Sequence, residues 1–417
     1  MEILFVHNNF PAQFKHVAPF LARQPGTRVT ALHKREDLPD EVGGMRLRAY
    51  APARALAPGI HPWLGETENA LIHGEAAARR ALAMRAEGYA PDVIIGHHGW
   101  GELIFLADIW PRARIGVYCE LYYRGTGSNW DFDPEFTGKP NPSADPRARY
   151  LNLPFDLSFD RAVSGLSPTQ FQASTFPPAV RQRITVAHDG VDTDRIRPDA
   201  AALLPPGIAG DAAIRYGDEV ITFVSRHLEP YRGFHIFMRA LPAILKARPK
   251  ARIVIVGADG STGGYGPRPP TGTWKDRFTA ELREAVPAQE FSRVHFVGRI
   301  AYGDFLTILQ LSTVHVYLTY PFVLSWSLIE AMSTACAIVA SDTEPVREVV
   351  EHGKTGILTD FFDVAALAER VIGLCDAPGE RRRLGTAARR LAQARYSLQD
   401  CVPRQLRWID AVARGHA

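Results

Sequence analysis

Two arginines and one acid are the residues of this chain best placed to do chemistry. In 220–241, VITFVSRHLEPYRGFHIFMRAL, an apolar strand ends in Arg226, a loop runs through Pro230, and Gly233 opens a helix just behind Arg232. Two guanidiniums at the mouth of a helix form a fork for phosphate oxygens, because the free N–H groups there already favour an anion. The plan recurs in 314–345, VHVYLTYPFVLSWSLIEAMSTACAIVASDTEP, where Val314, Val316 and Leu318 form a strand, Pro321 breaks it, and Ser325 caps a helix starting at Trp326. Free N–H groups at that start can hold an anion. Glu330 sits one turn in, and helical side chains lean toward the N-terminus, so its carboxylate would point back into the crevice within reach of a sugar hydroxyl. A surface arginine pair and a surface glutamate on an amphipathic helix would leave the same traces. Both groups, however, fall where strand ends meet helix starts, which is where open parallel sheets bind ligands.

Other candidates sit at similar edges. His97 and His98 follow the strand DVIIGH, and either a ligand-facing role or a core or helix-capping role fits them. Glu120 follows ARIGVYC and could bind an acceptor or position its hydroxyl, or pair with Arg124. After it comes LYYRGTGSNWDFDPEFTGKPNPSADP, whose Tyr122, Tyr123, Trp130 and Phe132 could stack on sugar faces or an apolar acceptor as a lid, since long ordered loops tend to be functional. Asp131 and Asp133 spell a D-x-D, to which no metal is assigned. The glycine-rich GADGSTGGYGPRPPTGTW, with Tyr265, suggests a loop over a base or phosphates.

These residues need a scaffold, and the chain supplies one by alternating strands and helices. Strands are predicted near ILFVH, RVTALH, MRLRAY, DVIIGH, ARIGVYCE, RAVSGLS and ITVAHDG, then VITFVSR, ARIVIVG, VHFVGR, VHVYLTY, AIVASD and GILTDF. That alternation predicts parallel, doubly wound α/β sheets. With 417 residues, two domains are expected: 1–191, a linker over 192–217 rich in proline, alanine and glycine, and 218–394, with the last helix, 395–417, returning to the first domain. Lys plus Arg at 48 against Asp plus Glu at 45 is too balanced for a protein relying on phosphate neutralisation along a nucleic acid. Membrane-surface contact through Arg79, Arg80 and Arg85 is not favoured, because glutamates nearby offset the charge. Cys119, Cys336, Cys375 and Cys401 show no metal or redox spacing and read as reduced thiols. No secretory leader is expected from MEILFVHNNF, and no run approaches the roughly 20 apolar residues that span a bilayer, so a cytoplasmic protein is expected.

The stretches VSRHLEPYRGF, ARIVIVGADG, VHFVGRIAYGDFLTILQLSTVHVYL, SLIEAM, AIVASDTEPVREVVEHGKTGIL and HDGVDTDRIRP resemble the retaining glycosyltransferases of family 4. The resemblance implies the GT-B fold, with two Rossmann-like domains facing a nucleotide-sugar, no cofactor and no metal. It implies sugar transfer from a nucleoside-diphosphate donor, UDP- or GDP-linked first, to an unidentified hydroxyl acceptor: a saccharide, a lipid-linked molecule or a small molecule. Arg226 and Arg232 match the Arg and Lys that hold the donor diphosphate. Glu330 matches the second acid of an E-x7-E element, which binds the ribose, and His97 matches the histidine beside the donor sugar, with His98 one register away. Ser325, Trp326, Gly257, Gly298, Arg299 and Ile300 fall on the donor side by the same match. Two positions depart from the pattern. Phe322 stands where the first acid belongs, leaving the donor sugar to backbone amides around 323–326. Pro11 and Ala12 stand where a Gly-Gly loop is usual, and because Pro11 has no N–H, Asn8, Asn9 or Gln13 would supply the polar contacts. Other GT-B activities (epimerase, phosphorylase) and a catalytically silent GT-B binding module are the alternatives.

Overall fold

A computed structural model of the chain describes residues 1–137, 141–259 and 264–416. Residues 260–263 of the glycine-rich stretch and 138–140 of the aromatic loop lie outside the described residues, as does 417. The chain forms two compact units: Met1–Asp131, Lys139–Gly190 and Leu398–Ala417 make one, and Phe132–Gly138 with Val191–Ser397 make the other.

The first unit is built on eight strands: β1 (Glu2–Val6), β2 (Arg28–His33), β3 (Glu41–Val42), β4 (Met45–Ala49), β5 (Val93–His97), β6 (Arg114–Tyr118), β7 (Ser164–Ser167) and β8 (Ile184–Val186). Their order is β3-β4-β2-β1-β5-β6-β7-β8, parallel except for the antiparallel β3–β4 pair. Ile3 to Val6 are all buried, as a strand covered on both faces must be. The C-terminal helix Leu398–Arg414 supplies Trp408, Ile409 and Val412 to one of those covers. Trp408 donates its indole N–H to Ser164 Oγ at 2.9 Å, and Gly116 on β6 makes room for the ring, since a Cβ there would lie 2.8 Å from it.

In the second unit β11 (Val220–His227), β12 (Arg252–Ala258), β13 (Val294–Gly298), β14 (Val314–Tyr317), β15 (Ile338–Ser341) and β16 (Ile357–Thr359) form an all-parallel sheet ordered β13-β12-β11-β14-β15-β16. Strand order therefore reverses between β11 and β14, leaving a crevice outside their carboxyl ends. Between the sheets come β9 (Leu203–Leu204) and β10 (Ile214–Arg215), a short antiparallel ladder.

Residues 192–217, expected as a linker, pack into the second unit instead. Ala202, Leu204, Ala209 and Ile214 are buried against Val220, Val254, Val256, Ile308 and Leu311. Two-residue strands have no periodicity to read, and proline and glycine serve a tight packed turn as readily as a tether. In the aromatic loop after β6, expected as a lid, the rings have packing partners. Tyr122 packs edge-on to Phe155 and tilted against Phe176. Tyr123 donates its N–H to Asn152 and stacks at a tilt near Trp130, over which Arg147 lies. Phe132 sits among Tyr320, Phe361 and Phe362 of the second unit. Tyr122, Tyr123 and Trp130 nevertheless stay partly exposed.

Candidate active site

In the second unit the site grows from the end of β11. The β11–β12 register shifts between Val224 and His227, and Ser225 Oγ donates to His227 O at 2.7 Å. Such a bulge re-aims side chains: Arg226 turns out and is exposed, while His227 turns in. Gly257 on β12 permits this close approach, because a Cβ there would sit 2.8 Å from Ser225 O. A 3-10 turn, Pro230–Arg232, then leads to Gly233, whose φ of +66° and lack of a Cβ are both required, since a Cβ would lie 2.3 Å from Leu318. The turn directs Arg232 inward. It is 8% exposed, donates to Thr319 Oγ1 and Val323 O at 2.9 Å each, and lies 5.4 Å over the Phe322 ring. β11 and β14 are adjacent, so Arg232 meets the loop after β14 at the point where strand order reverses, with Arg226 at the end of β11 beside it in the chain.

Ser325 caps the helix Trp326–Ser333: its Oγ accepts from Ser327 N, and its own N–H donates to Tyr317 OH at 3.0 Å. Glu330, 5% exposed, accepts from Tyr302 OH at 2.6 Å. Tyr302 opens the helix Tyr302–Leu311 behind β13, so Gly298, left-handed at φ +67°, and the exposed Arg299 lie on the same approach, with Ile300 partly buried. Phe322 is 3% exposed, edge-on to Tyr231 at 5.5 Å and Tyr265 at 4.9 Å. It is a brick in an aromatic wall rather than an open pocket surface.

Sequence reasoning missed two residues here. Glu229, 2% exposed, lies between the arginines in sequence and accepts from Tyr265 N at 2.5 Å. His227 is buried, with neither ring nitrogen hydrogen-bonded among the described residues; burial lowers its pKa, and Arg226 and Arg299 add to that. An acid and an imidazole flanking two arginines are visible in RHLEPYR, but their burial is not.

In the first unit the corresponding reversal falls between β1 and β5. His97, at the end of β5, caps a 3-10 turn by accepting Gly99 N–H on Nδ1 at 3.0 Å. That leaves the proton of the neutral ring on Nε2, which faces Glu120 Oε2 at 3.5 Å. The capping and the ligand-facing roles are thus both available to His97. His98 stacks on it at 5.3 Å and is buried against Phe155. Glu120 is gripped by Gln13 Nε2 at 3.0 Å. Burial works to raise the Glu120 pKa, yet His97, with His98 and His7 behind it, more than offsets it and holds the carboxyl down at about 2. The alternative pairing of Glu120 with Arg124 does not form: Arg124 donates to the carbonyls of Ser174 and Thr175. Asn9 is exposed, its N–H bonded to His7 Nδ1. Gln13 Oε1 and Asn8 Oδ1 are buried without a partner among the described residues, so this edge retains acceptors to offer.

Asp131 and Asp133 do not act together. Asp131 accepts from the backbone of Gly127 and Ser128 in the first unit, whereas Asp133 accepts from Tyr320 OH at 2.6 Å and His235 Nε2 at 3.1 Å in the second.

Two doubly wound sheets, the second with an arginine pair and a buried glutamate at its reversal point, define the GT-B fold, and solved structures agree. The Anabaena protein Alr3699/HepE, solved in complex with UDP, superimposes with a TM-score of 0.67 over 99% of this chain and 100% of that one, at 16% identity. The family described as "Glycosyl transferase family 4 group" matches residues 25–196, and "Glycosyl transferases group 1" matches 211–391. The chain belongs to the family 4 glycosyl transferases. It is 26% identical over 254 residues to the D-inositol 3-phosphate glycosyltransferase of Streptomyces avermitilis (60% of this chain, 52% of the relative). To the Streptomyces coelicolor protein of that name it is 28% identical over 372 residues (83% and 77%). The chain spans about half the length of several curated relatives it matches. Among the described residues no helix is long and apolar enough to cross a membrane.

Proposed function

We propose that the chain is a retaining glycosyltransferase that moves a sugar from a UDP- or GDP-linked donor to a hydroxyl of a saccharide, lipid-linked or small-molecule acceptor. What carries this is the placement of Arg226 at the end of β11, Arg232 in the turn that follows it and Glu330 on the helix after β14, the two strands between which strand order reverses. The UDP in the Anabaena structure supports a nucleotide-sugar donor, and the names of the Streptomyces relatives support glycosyl transfer. The second unit takes the donor: Arg226 and Arg232 stabilise the charge that grows on the departing diphosphate, an effect that must be larger in the transition state than in the ground state. Glu330 accepts from the ribose. The first unit takes the acceptor, with Gln13, Glu120 and His97 as its polar edge and Asn9, Tyr122, Tyr123 and Trp130 around it. No protein nucleophile is invoked; the acceptor hydroxyl attacks on the face the diphosphate leaves and passes its proton to that phosphate, unlike the paired-carboxylate route of retaining glycosidases. Four buried free cysteines fit a reducing, cytoplasmic setting.

A thermal-shift screen across UDP, GDP, ADP and dTDP, followed by transfer assays with the matching sugars, tests the reading. Stabilisation by none of them sinks it. Glu330→Gln is expected to weaken nucleoside diphosphate binding by about 1.5–3 kcal/mol, the range for a hydrogen bond to a charged group, and analogues lacking ribose hydroxyls should not sense the change. Equal affinity in the folded variant removes Glu330 from the site. Transfer should persist in excess EDTA, because the diphosphate's counter-charge comes from arginine; chelator loss restored by Mg²⁺ or Mn²⁺ would contradict this.

A further inference from the structure

Between Arg226 and Arg232 in the sequence lies a carboxyl that belongs to the protein. Glu229 is buried, its Oε2 takes the N–H of Tyr265, and the Gly264–Gly266 stretch lies against it and its neighbour. A Cβ on Gly264 would come within 2.4 Å of Glu229 Oε2, and one on Gly266 within 2.4 Å of the Tyr231 ring. No side-chain donor bonds the carboxyl among the described residues; the charges acting on it are those of Arg232 and Arg226. His227 is turned in from β11 two residues before it, and its own ring is under Arg226, Arg299 and Asp259. A diphosphate arriving at the same guanidiniums brings a second anion into one buried field, and two anions that share counter-charges in low dielectric cannot both stay ionised cheaply.

We propose that Glu229 competes with the donor diphosphate for Arg226 and Arg232, and takes up a proton from solvent when a nucleoside diphosphate binds. The inference rests on the donor-site reading above. Burial already pushes this carboxyl up to about 7, against the opposing pull of Arg232, the Tyr265 N–H and Arg226. The free protein is therefore part-ionised near neutrality. Below pH 7 the carboxyl is protonated in both states and binding is indifferent to it; above pH 7 it must gain a proton for the ligand to bind, so affinity falls by up to about tenfold per pH unit. Proton release on ejection of the diphosphate would equally favour product release at higher pH.

The test is calorimetric titration of UDP, with GDP in parallel, from pH 6 to 9 in buffers of different ionisation enthalpy. Wild type should take up a growing fraction of a proton above pH 7 while affinity falls. Glu229→Gln keeps a carbonyl acceptor for Tyr265 N–H but cannot ionise. It should match wild type at pH 6, bind about tenfold tighter than wild type at pH 8, and lose the uptake. Titration of the ligand's own phosphates is common to both proteins and cancels in the comparison. Identical pH profiles in the two, or a variant weaker than wild type throughout, overturns the proposal and makes Glu229 a latch for the glycine loop. If the variant does not fold, absence of proton uptake in wild type above pH 7 still overturns it. Failure of wild type to bind UDP or GDP at any pH removes the donor site itself, and this inference with it.

Discussion

Removing either guanidinium, Arg226 at the end of β11 or Arg232 in the turn after it, is expected to lower sugar transfer by about two to three orders of magnitude, the loss expected when one preorganised charge-stabilising donor is deleted. The two variants should differ in stability. Arg226 is exposed and held by no hydrogen bond among the described residues, so Arg226→Ala should melt with wild type. Arg232 is buried, and its loss leaves Thr319 Oγ1 and Val323 O without their donor and Phe322 without its cation. Arg232→Ala should therefore cost about 1–3 kcal/mol of stability as well. Turnover read beside thermal melting separates the two effects. Activity within a few-fold of wild type in both folded variants takes the pair out of the mechanism.

Asp133→Ala should destabilise the second unit by about 3 kcal/mol, the scale for leaving buried hydrogen-bond donors without their carboxylate acceptor. The carboxylate accepts from Tyr320 OH and His235 Nε2 and, through Oδ1, from Glu135 N. Burial works to raise its pKa, but the bonds from His235 and Tyr320 outweigh that and hold it below the usual carboxylate range. Alanine strands two buried donors. The anchor continues on either side, with Phe132 among three aromatic rings and Glu135 accepting two bonds from Arg239 at 2.6 and 2.9 Å. Asp131→Ala removes only the acceptor of two exposed backbone N–H groups and should cost under about 1 kcal/mol. Denaturant melts compare the pair directly. Equal midpoints would return the D-x-D to a surface feature, and equal loss of transfer without loss of stability would return it to the chemistry.

Strands and helices were legible because burial on both faces of a parallel sheet demands unbroken apolar runs, and ILFVH, DVIIGH, ARIVIVG and VHVYLTY are such runs. The arginine pair and Glu330 were legible for a local reason: each lies within a few residues of a strand end and a helix start, and short-range geometry places it there. Local reading failed where partners are distant in the chain. The packed 192–217 segment has too few residues per strand to show a period, and its burial comes from Val254 and Ile308, far along the sequence. Arg124 stands four residues from Glu120, yet the carbonyls of Ser174 and Thr175 claim it, while Gln13 and His97 reach Glu120 across the sheet edge. Two aspartates two positions apart went to different units because the chain changes unit between them. By itself the sequence determined the class of fold, the alternation that builds it and the residue types at each strand edge, since these depend on periodicity and near neighbours. Only the tertiary structure decided which edges adjoin, through the strand order that sets β11 beside β14, and which side chains are buried there. Burial changes what a residue is chemically: it makes Phe322 a wall, Asp133 an anchor, and Glu229 a carboxyl that titrates near neutrality.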